Sequence, residues 1–275
     1  MMLRELLMSY LMRNLVMNKS FFYERRNPEW YADDLRKELG INDNSALDLD
    51  NVINALDIHL KQAPIQEGIL GACKVKGLKK LIVISPDIYN NNQKRFTIAH
   101  EIGHLFIHHG VHFCRKEDFN MGINTKTKER EANQFAAQLL LPRNIVLNKL
   151  RTRDISLDIA QELSEQYEIS LTSAIIRMIE LSDENVALIS QKNNIIQRVV
   201  KSPECRSILK NGKISNNTLS YITNVDKMRQ EGYVDPNAWF EDSTYSQDTR
   251  CYEQTWYFSK LDMKLSIVRL EDDDY

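Results

Sequence analysis

The sequence predicts an α+β fold, with helices prevailing up to Asp183 and strands after it. Three observations support this prediction. Apolar residues recur at helical spacing in several segments before Asp183. Two segments, "GILGACKV" and "LKKLIVIS", flank a Lys76-Gly77 turn and indicate a β-hairpin among these helices. After Asp183, short apolar segments separated by turn residues are typical of antiparallel strands.

The first helix is predicted in the opening "MMLRELLMSYLMRNLVMNKS", where apolar residues form one stripe. Arg4 and Arg13 interrupt the apolar run that a signal peptide would need. Two further helices are predicted in "PEWYADDLRKELG" and "DLDNVINALDIHL". Nowhere does the sequence reach the roughly 18 consecutive apolar residues of a membrane span, so we expect no membrane association.

A histidine-rich helix is predicted to start near Asn92 and to end at Gly110, because asparagine caps helices and glycine suits the left-handed position after them. It contains "TIAHEIGHLFIHH". A polar loop separates it from "EREANQFAAQLLLP", whose apolar stripe predicts another helix that Pro142 terminates.

Two shorter helices, capped by Ser156 and Ser170, are predicted in a helix-turn-helix arrangement. From Arg151 to Leu181 this segment carries three basic and six acidic residues. Such a balance repels phosphate, and the second helix is largely apolar. Packing or substrate docking is therefore favoured over nucleic-acid binding.

The later strands are "VALIS" and "NIIQRVV" around Lys192-Asn193, and "YEQTWYFSK" and "LDMKLSIVRL" around Leu261-Asp262. Three aromatic residues in this region either line a ligand pocket or belong to the core, and core is the more common role for aromatic residues in strands. They are Trp239, Trp256 and Tyr257.

The composition restricts the function classes. The chain has 275 residues and a formal net charge of -2, so no overall field attracts nucleic acid or an anionic membrane. Its four cysteines form no C-x-x-C pair, which argues against a disulfide framework and against a zinc knuckle. We expect a cytoplasmic protein.

His100, Glu101 and His104 form an H-E-x-x-H pattern that predicts a metal site. Residues four apart lie on one face of a helix, so both imidazoles can bind one ion. Glu101 lies about 100° further round the helix axis, where it can act as general base toward the attacking water of a peptidase. The pattern also occurs by chance on surface helices.

The third metal ligand remains open on these grounds. A metzincin would have a histidine six residues after His104, but that position is Gly110. His108 lies one turn further along the helix. This position suits a contact with the substrate or with a metal ligand better than direct binding of the metal, and the alternative is a solvated histidine at a helix end. Glu129 and Glu131 in the next helix can supply the carboxylate of a two-histidine, one-glutamate site.

"RFTIAHEIGHLFIHH" followed by "EREANQFAAQLLLP" resembles the ImmA/IrrE family of metallopeptidases, over roughly Ala46 to Leu181. The family pattern joins an H-E-x-x-H helix to a helix reading E-A-N-x-F-A-x-x-L-L-x-P. The resemblance implies that His100, His104 and Glu131 bind the metal and that Glu101 is the catalytic base. It also implies a substrate, a separately encoded helix-turn-helix repressor whose cleavage releases stress-response or mobile-element genes.

With this resemblance, the chain divides into three parts. Residues 1–150 are predicted to form a zincin-like metallopeptidase domain with the N-terminal helix, and 151–183 the helix-turn-helix-like segment. Residues 184–275 are predicted to form a C-terminal α+β domain with a sensor or docking role. The expected cofactor is one divalent metal: zinc suits the ligands, and manganese or iron can replace it when supply favours them.

Two other function classes stay open on the sequence alone. The chain could hold a repressor or toxin partner without cutting it, around a purely structural metal. It could also regulate transcription through the helix-turn-helix-like segment. Glu101 argues against the first, since a structural metal needs no base, and the acidic charge argues against the second.

Overall fold

The computed structural model describes residues 27–108, 110–119, 127–223, 229–241 and 245–271. The chain forms two compact units that meet in sequence between Leu140 and Leu141. Each unit contains helices and one sheet, which confirms the predicted α+β class. The predicted N-terminal amphipathic helix lies outside the described residues. Within the described ranges, the helices are all too short or too polar to cross a membrane.

The first unit contains four helices and a four-stranded sheet among the residues described. The helices are α1 Pro28–Glu38, α2 Leu49–Ala55, α3 Asn91–Ile107 and α4 Thr127–Leu140; the strands are β1 Ile58–Gln62, β2 Ile69–Lys76, β3 Lys79–Ile84 and β4 Val111–Arg115. The strand order is β1-β3-β2-β4, with β1 parallel to β3 and the other pairs antiparallel.

The predicted hairpin is confirmed as β2 and β3, with Gly77 at φ +60° in the turn. Both of its strands are interior to the sheet, however, and the edges are β1 and β4. The predicted second helix ends at Ala55, and its last residues form β1 instead. Asp57, at φ 53°, breaks the helix, and pairing with β3 holds the following residues extended.

Helix α3 begins after Asn90, whose side chain accepts a hydrogen bond from Gln93 N at 3.1 Å. It ends at Ile107, three residues before the predicted end. Gly110, at φ +105°, then redirects the chain into β4, which the sequence did not predict. A short 3₁₀ helix, Lys116–Phe119, follows β4.

Two glycines let α3 pack closely against its neighbours. A Cβ at Gly71 of β2 would lie 2.4 Å from Glu101 Oε1, so only glycine allows α3 to approach the sheet this closely. A Cβ at Gly103 would lie 3.1 Å from the ring of Phe135 on α4. The sheet and α4 thereby bury nine consecutive residues of α3, from Thr97 to Leu105.

The carboxyl end of α4 is tied to α1 by a buried arginine. Arg36 Nη1 donates to the carbonyl oxygen of Leu139 at 2.5 Å, and Nη2 pairs with Asp43 Oδ1 at 2.7 Å. Gln138 Nε2 also donates to Asp33 Oδ1 at 2.6 Å. These contacts fix α4 alongside α1 while its other face packs on α3.

The second unit contains a five-stranded antiparallel sheet of order β6-β5-β9-β8-β7. The helices are α5 Arg143–Leu150, α6 Leu157–Tyr167, α7 Leu171–Leu181 and α8 Leu219–Ile222; the strands are β5 Val186–Lys192, β6 Ile195–Lys201, β7 Arg229–Val234, β8 Arg250–Phe258 and β9 Met263–Glu271. The four predicted strands are confirmed as β5, β6, β8 and β9, whereas α5 and β7 were not predicted.

The predicted helix-turn-helix is present as α6 and α7, and Ser156 and Ser170 cap them. It is not a separate segment, because α7 packs against α5, β5 and β6 of the same unit. The two compact units divide at 140/141, and the domain boundaries predicted at 150/151 and 183/184 stay predictions. The unforeseen α5 belongs to this second unit.

Trp239 lies in the core of the second unit and is 1% exposed. Its Nε1 donates to Glu253 Oε2 at 2.9 Å. The same carboxylate accepts from the backbone N–H groups of Leu219 at 2.9 Å and Ser220 at 2.7 Å. The sequence left a pocket role open for Trp239; its position is a core position.

We expect Glu253→Gln to lower the free energy of unfolding by about 1 to 3 kcal/mol, because the amide NH₂ would face a buried donor and leave it without an acceptor. Urea denaturation measures this difference. Glu204→Gln changes an exposed glutamate of the same unit and is the control, with little expected change. Equal midpoints for the two variants would contradict the prediction.

Candidate metal centre

The two histidines of the H-E-x-x-H pattern lie one turn apart on α3, and both are 0% exposed. Their Nε2 atoms are 3.0 Å apart. This is the arrangement that the i, i+4 spacing predicts for two ligands to one ion.

The carboxylate that joins them belongs to Glu129, not to Glu131. Glu129 Oε2 lies 3.2 Å from Nε2 of both His100 and His104. Glu131 Oε2 instead contacts His108 Nε2 at 2.8 Å. The geometry therefore favours Glu129 over the predicted Glu131 as third ligand.

Helix geometry explains this preference. Residues two apart on a helix point about 200° away from each other, so Glu129 and Glu131 cannot serve the same site. Glu129 lies on one stripe with Ala132, Asn133 and Ala136, at spacings of three, four and seven. All four residues are buried. This stripe is visible in the sequence, but it identifies Glu129 only once Asn133 is known to contact His100.

Asn133 fixes the orientation of His100. The amide oxygen of Asn133 lies 2.8 Å from His100 Nδ1 and accepts its proton. The amide nitrogen of Asn133 donates to the backbone carbonyl of Asp118 at 2.8 Å, which sets the direction of the amide. Nε2 of His100 is therefore the unprotonated nitrogen, and its lone pair points toward His104 and Glu129.

A second chain of contacts orients His104. His108 Nε2 donates to Glu131 Oε2, so His108 Nδ1 is free to accept from His104 Nδ1 at 2.8 Å. Burial lowers the pKa of His108 to about 4, although Glu131 opposes this, so the ring is neutral at pH 7. The ring of His112 stacks on His104 with centroids 4.5 Å apart. The lone pair of His104 Nε2 is again left facing the cluster.

The resulting cluster fits a metal ion. Two imidazole lone pairs and one carboxylate oxygen lie within 3.2 Å of one another, and three acceptors so close together repel each other unless a cation lies between them. Bonds of about 2.0 to 2.1 Å to a tetrahedral zinc would separate such ligands by only slightly more.

Glu101 is buried beside this cluster, with 0% exposure. Neither of its carboxylate oxygens has a hydrogen-bond partner among the described residues. Burial raises the pKa of Glu101 to about 7, and the nearby thiols of Cys114 and Cys73 lower it only in part. A buried carboxylate without a partner is costly, so the fold maintains a proton acceptor here for a reason other than stability.

All four cysteines are free and buried. Cys73 on β2 and Cys114 on β4 lie near Glu101. Burial raises the pKa of both thiols, and the Glu101 carboxylate raises them further. The Cys114 sulfur also lies within 4.8 Å of the ligand atoms of His100, His104 and Glu129. Neither thiol belongs to a motif that the sequence reveals.

An H-E-x-x-H helix joined to a glutamate on a second helix defines the class of two-histidine, one-glutamate metal sites found in zinc peptidases. Residues 53–178 match the family model of the M78 peptidases, described as the IrrE N-terminal-like domain. Residues 53–178 are therefore similar to an IrrE N-terminal-like domain, and the predicted resemblance to the ImmA/IrrE family is confirmed over this part of the chain.

A solved structure described as a Mycobacterium tuberculosis transcriptional regulator has a similar fold, with a TM-score of 0.53. The alignment covers 98% of this chain and 92% of the other, at 10% sequence identity. At this identity the similarity concerns the fold alone. The comparison with curated proteins gave no match.

Replacing each of the two glutamates separately tests the assignment of the third ligand. We expect Glu129→Gln to abolish tight zinc binding, because it removes a charged ligand. Glu131→Gln should weaken zinc binding only about 10- to 100-fold, because it alters a group that orients His104. Competition against a chromophoric chelator measures both affinities, and the reverse order would restore Glu131 as the ligand.

Proposed function

We propose that this protein is a metal-dependent endopeptidase that makes a site-specific cut in a separately encoded helix-turn-helix repressor. The observation that carries the peptidase proposal is a buried, unpartnered Glu101 beside three converging acceptor atoms. A structural metal site needs the three acceptors but has no use for such a base.

A divalent metal held by His100, His104 and Glu129 would supply Lewis-acid polarisation of the scissile carbonyl and would acidify water. Zinc suits two nitrogens and one carboxylate; manganese or iron would also bind there. His108 and Asn133 hold the two imidazoles so that Nε2 of each faces the cluster. Glu101 accepts the proton of the attacking water and delivers it to the leaving amine.

The edge strand β4 is the surface that we propose for the substrate backbone. It pairs only with β2 among the described strands, which leaves its outer hydrogen-bonding edge for an extended peptide. Val111 and Phe113 on β4 are 50% and 59% exposed. The two hairpin strands, β2 and β3, cannot take this role, because both lie inside the sheet.

The choice of a repressor as substrate comes from the resemblance to the ImmA/IrrE family. The match of residues 53–178 to the IrrE N-terminal-like domain supports that choice. Cleavage would take place in the cytoplasm and would release stress-response or mobile-element genes. Specificity would come from docking of the whole repressor, so unrelated unfolded proteins such as casein should be poor substrates.

Transcriptional regulation by direct DNA binding is a second candidate function, because the protein of similar fold is described as a transcriptional regulator. The position of α7 argues against this candidate. Seven of its eleven residues are buried, so it does not present the exposed face that a recognition helix needs. Its acidic surroundings repel phosphate as well.

Co-expression with the helix-turn-helix repressor encoded nearest to this gene tests the proposed function. We expect the wild type to leave a repressor of lower intact mass, cut at one position, and Glu101→Gln to leave it whole while still binding zinc. Glu67→Gln, which changes an exposed glutamate of the same unit, should cut normally. Mass spectrometry of the purified repressor distinguishes these results.

The same experiment separates the alternatives. An intact repressor that co-purifies with both the wild type and Glu101→Gln would support a binding partner that does not cleave. Cleavage that persists in Glu101→Gln would remove Glu101 from the mechanism.

A further inference from the structure

A fourth side chain capable of binding metal belongs to the cluster of His100, His104 and Glu129. The sulfur of Cys114 and the three ligand atoms all lie within 4.8 Å of one another, and all four residues are buried. Neither the H-E-x-x-H pattern nor the glutamate helix includes this cysteine. It comes from β4, which lies between α3 and the 3₁₀ helix in sequence.

The pairing of β4 with β2 explains why the thiol reaches the cluster. Cys114 lies directly opposite Gly71 in the antiparallel ladder. Because Gly71 has no side chain, α3 approaches the sheet until Glu101 Oε1 lies 2.4 Å from the position that a Cβ would take. The cysteine at the neighbouring position thus faces the polar side of α3, and its side chain is 0% exposed.

We propose that the Cys114 thiolate is a fourth protein ligand of the metal and that it closes the site in the resting protein. This inference rests on the metal site of the proposed function. Metal binding would form one metal–sulfur bond and release the thiol proton. Two nitrogens, one oxygen and one sulfur would then supply the four protein ligands that a closed zinc site contains.

The consequence is a latent peptidase. Catalytic zinc sites keep one position for water or substrate, whereas sites with four protein ligands are closed. Release of Cys114 would reopen that position without moving the two histidines, because β4 carries the cysteine and α3 carries the histidines. The burial of all four ligand residues agrees with a closed site.

Cobalt substitution in the full-length, reduced protein tests the ligation without measuring activity. We expect a near-ultraviolet sulfur-to-cobalt charge-transfer band in the wild type and its loss in Cys114→Ser. Cys73→Ser is the matched control, since Cys73 is a buried thiol near Glu101 but outside the ligand cluster, and it should keep the band. Cobalt affinity should fall in Cys114→Ser alone, and by more than the roughly 10- to 100-fold that the loss of an orienting contact costs.

The outcomes separate this inference from the proposed site. Identical spectra for the wild type and Cys114→Ser, with cobalt bound to both, would overturn sulfur ligation and leave the three-ligand site intact. Failure of the wild type to bind cobalt at all would overturn the metal site and, with it, this inference.

Two further measurements complete the test. If Cys114→Ser does not fold, X-ray absorption at the zinc edge of the wild type decides: we expect a sulfur at about 2.3 Å, and nitrogen and oxygen ligands only would overturn the ligation. If the variant folds, it should cut the repressor several-fold faster than the wild type. An unchanged or lower rate would overturn closure of the site by Cys114.

Discussion

The burial of the polar residues of α3 is the constraint on which the first unit depends. Nine consecutive residues of this helix are buried, among them His100, Glu101 and His104. A helix buried on all sides is normally apolar all round, because every buried polar group requires a partner. The neighbouring elements supply partners for the two imidazoles, whereas the carboxylate of Glu101 has no hydrogen-bond partner among the described residues.

The partners come from α4 and from the turn after α3, and they act in two layers. Asn133 and His108 each occupy the Nδ1 side of one histidine, and Glu131 and the Asp118 carbonyl hold these two residues in turn. This outer layer is complete without a metal. The inner layer is not, since its three acceptors face one another with no donor between them. The outer layer thus determines which nitrogen is left free, and a metal ion would complete the inner layer.

Local features of the first unit could be predicted from the sequence because short-range physics determines them. The turn glycine Gly77 and the apolar stripe of α4 are examples. Features that depend on pairing between distant segments cannot be predicted in this way. An example is β1, whose residues continue a helical pattern in the sequence but pair with β3 in the structure. The strand β4 could not be predicted either, because its alternation is short and its partner, β2, lies far back in the sequence.

The prediction of Glu131 as third ligand has the same origin. From the sequence, Glu129 and Glu131 both lie on a helix beside buried residues, and the choice between them depends on how α4 is rotated against α3. That rotation is set by the contact of Phe135 with Gly103 and by the link from Arg36 to Leu139, both of which are tertiary. The spacing of Glu129 to Asn133 carries the information, but only once Asn133 is known to serve His100.

Glu101 raises a question that the rest of the site does not answer by itself. A buried carboxylate without a hydrogen-bond partner costs several kcal/mol unless it is neutralised, and the raised pKa of Glu101 expresses that cost. A fold selected for stability alone would place an apolar residue there, as it does at Ile102 and Leu105. In the proposed peptidase, water and a peptide must reach this carboxylate, so the working state would be more open around β4 than this one. The strand that would have to move carries both Cys114 and the free edge of the sheet. Substrate docking and access to the metal would therefore depend on the same strand.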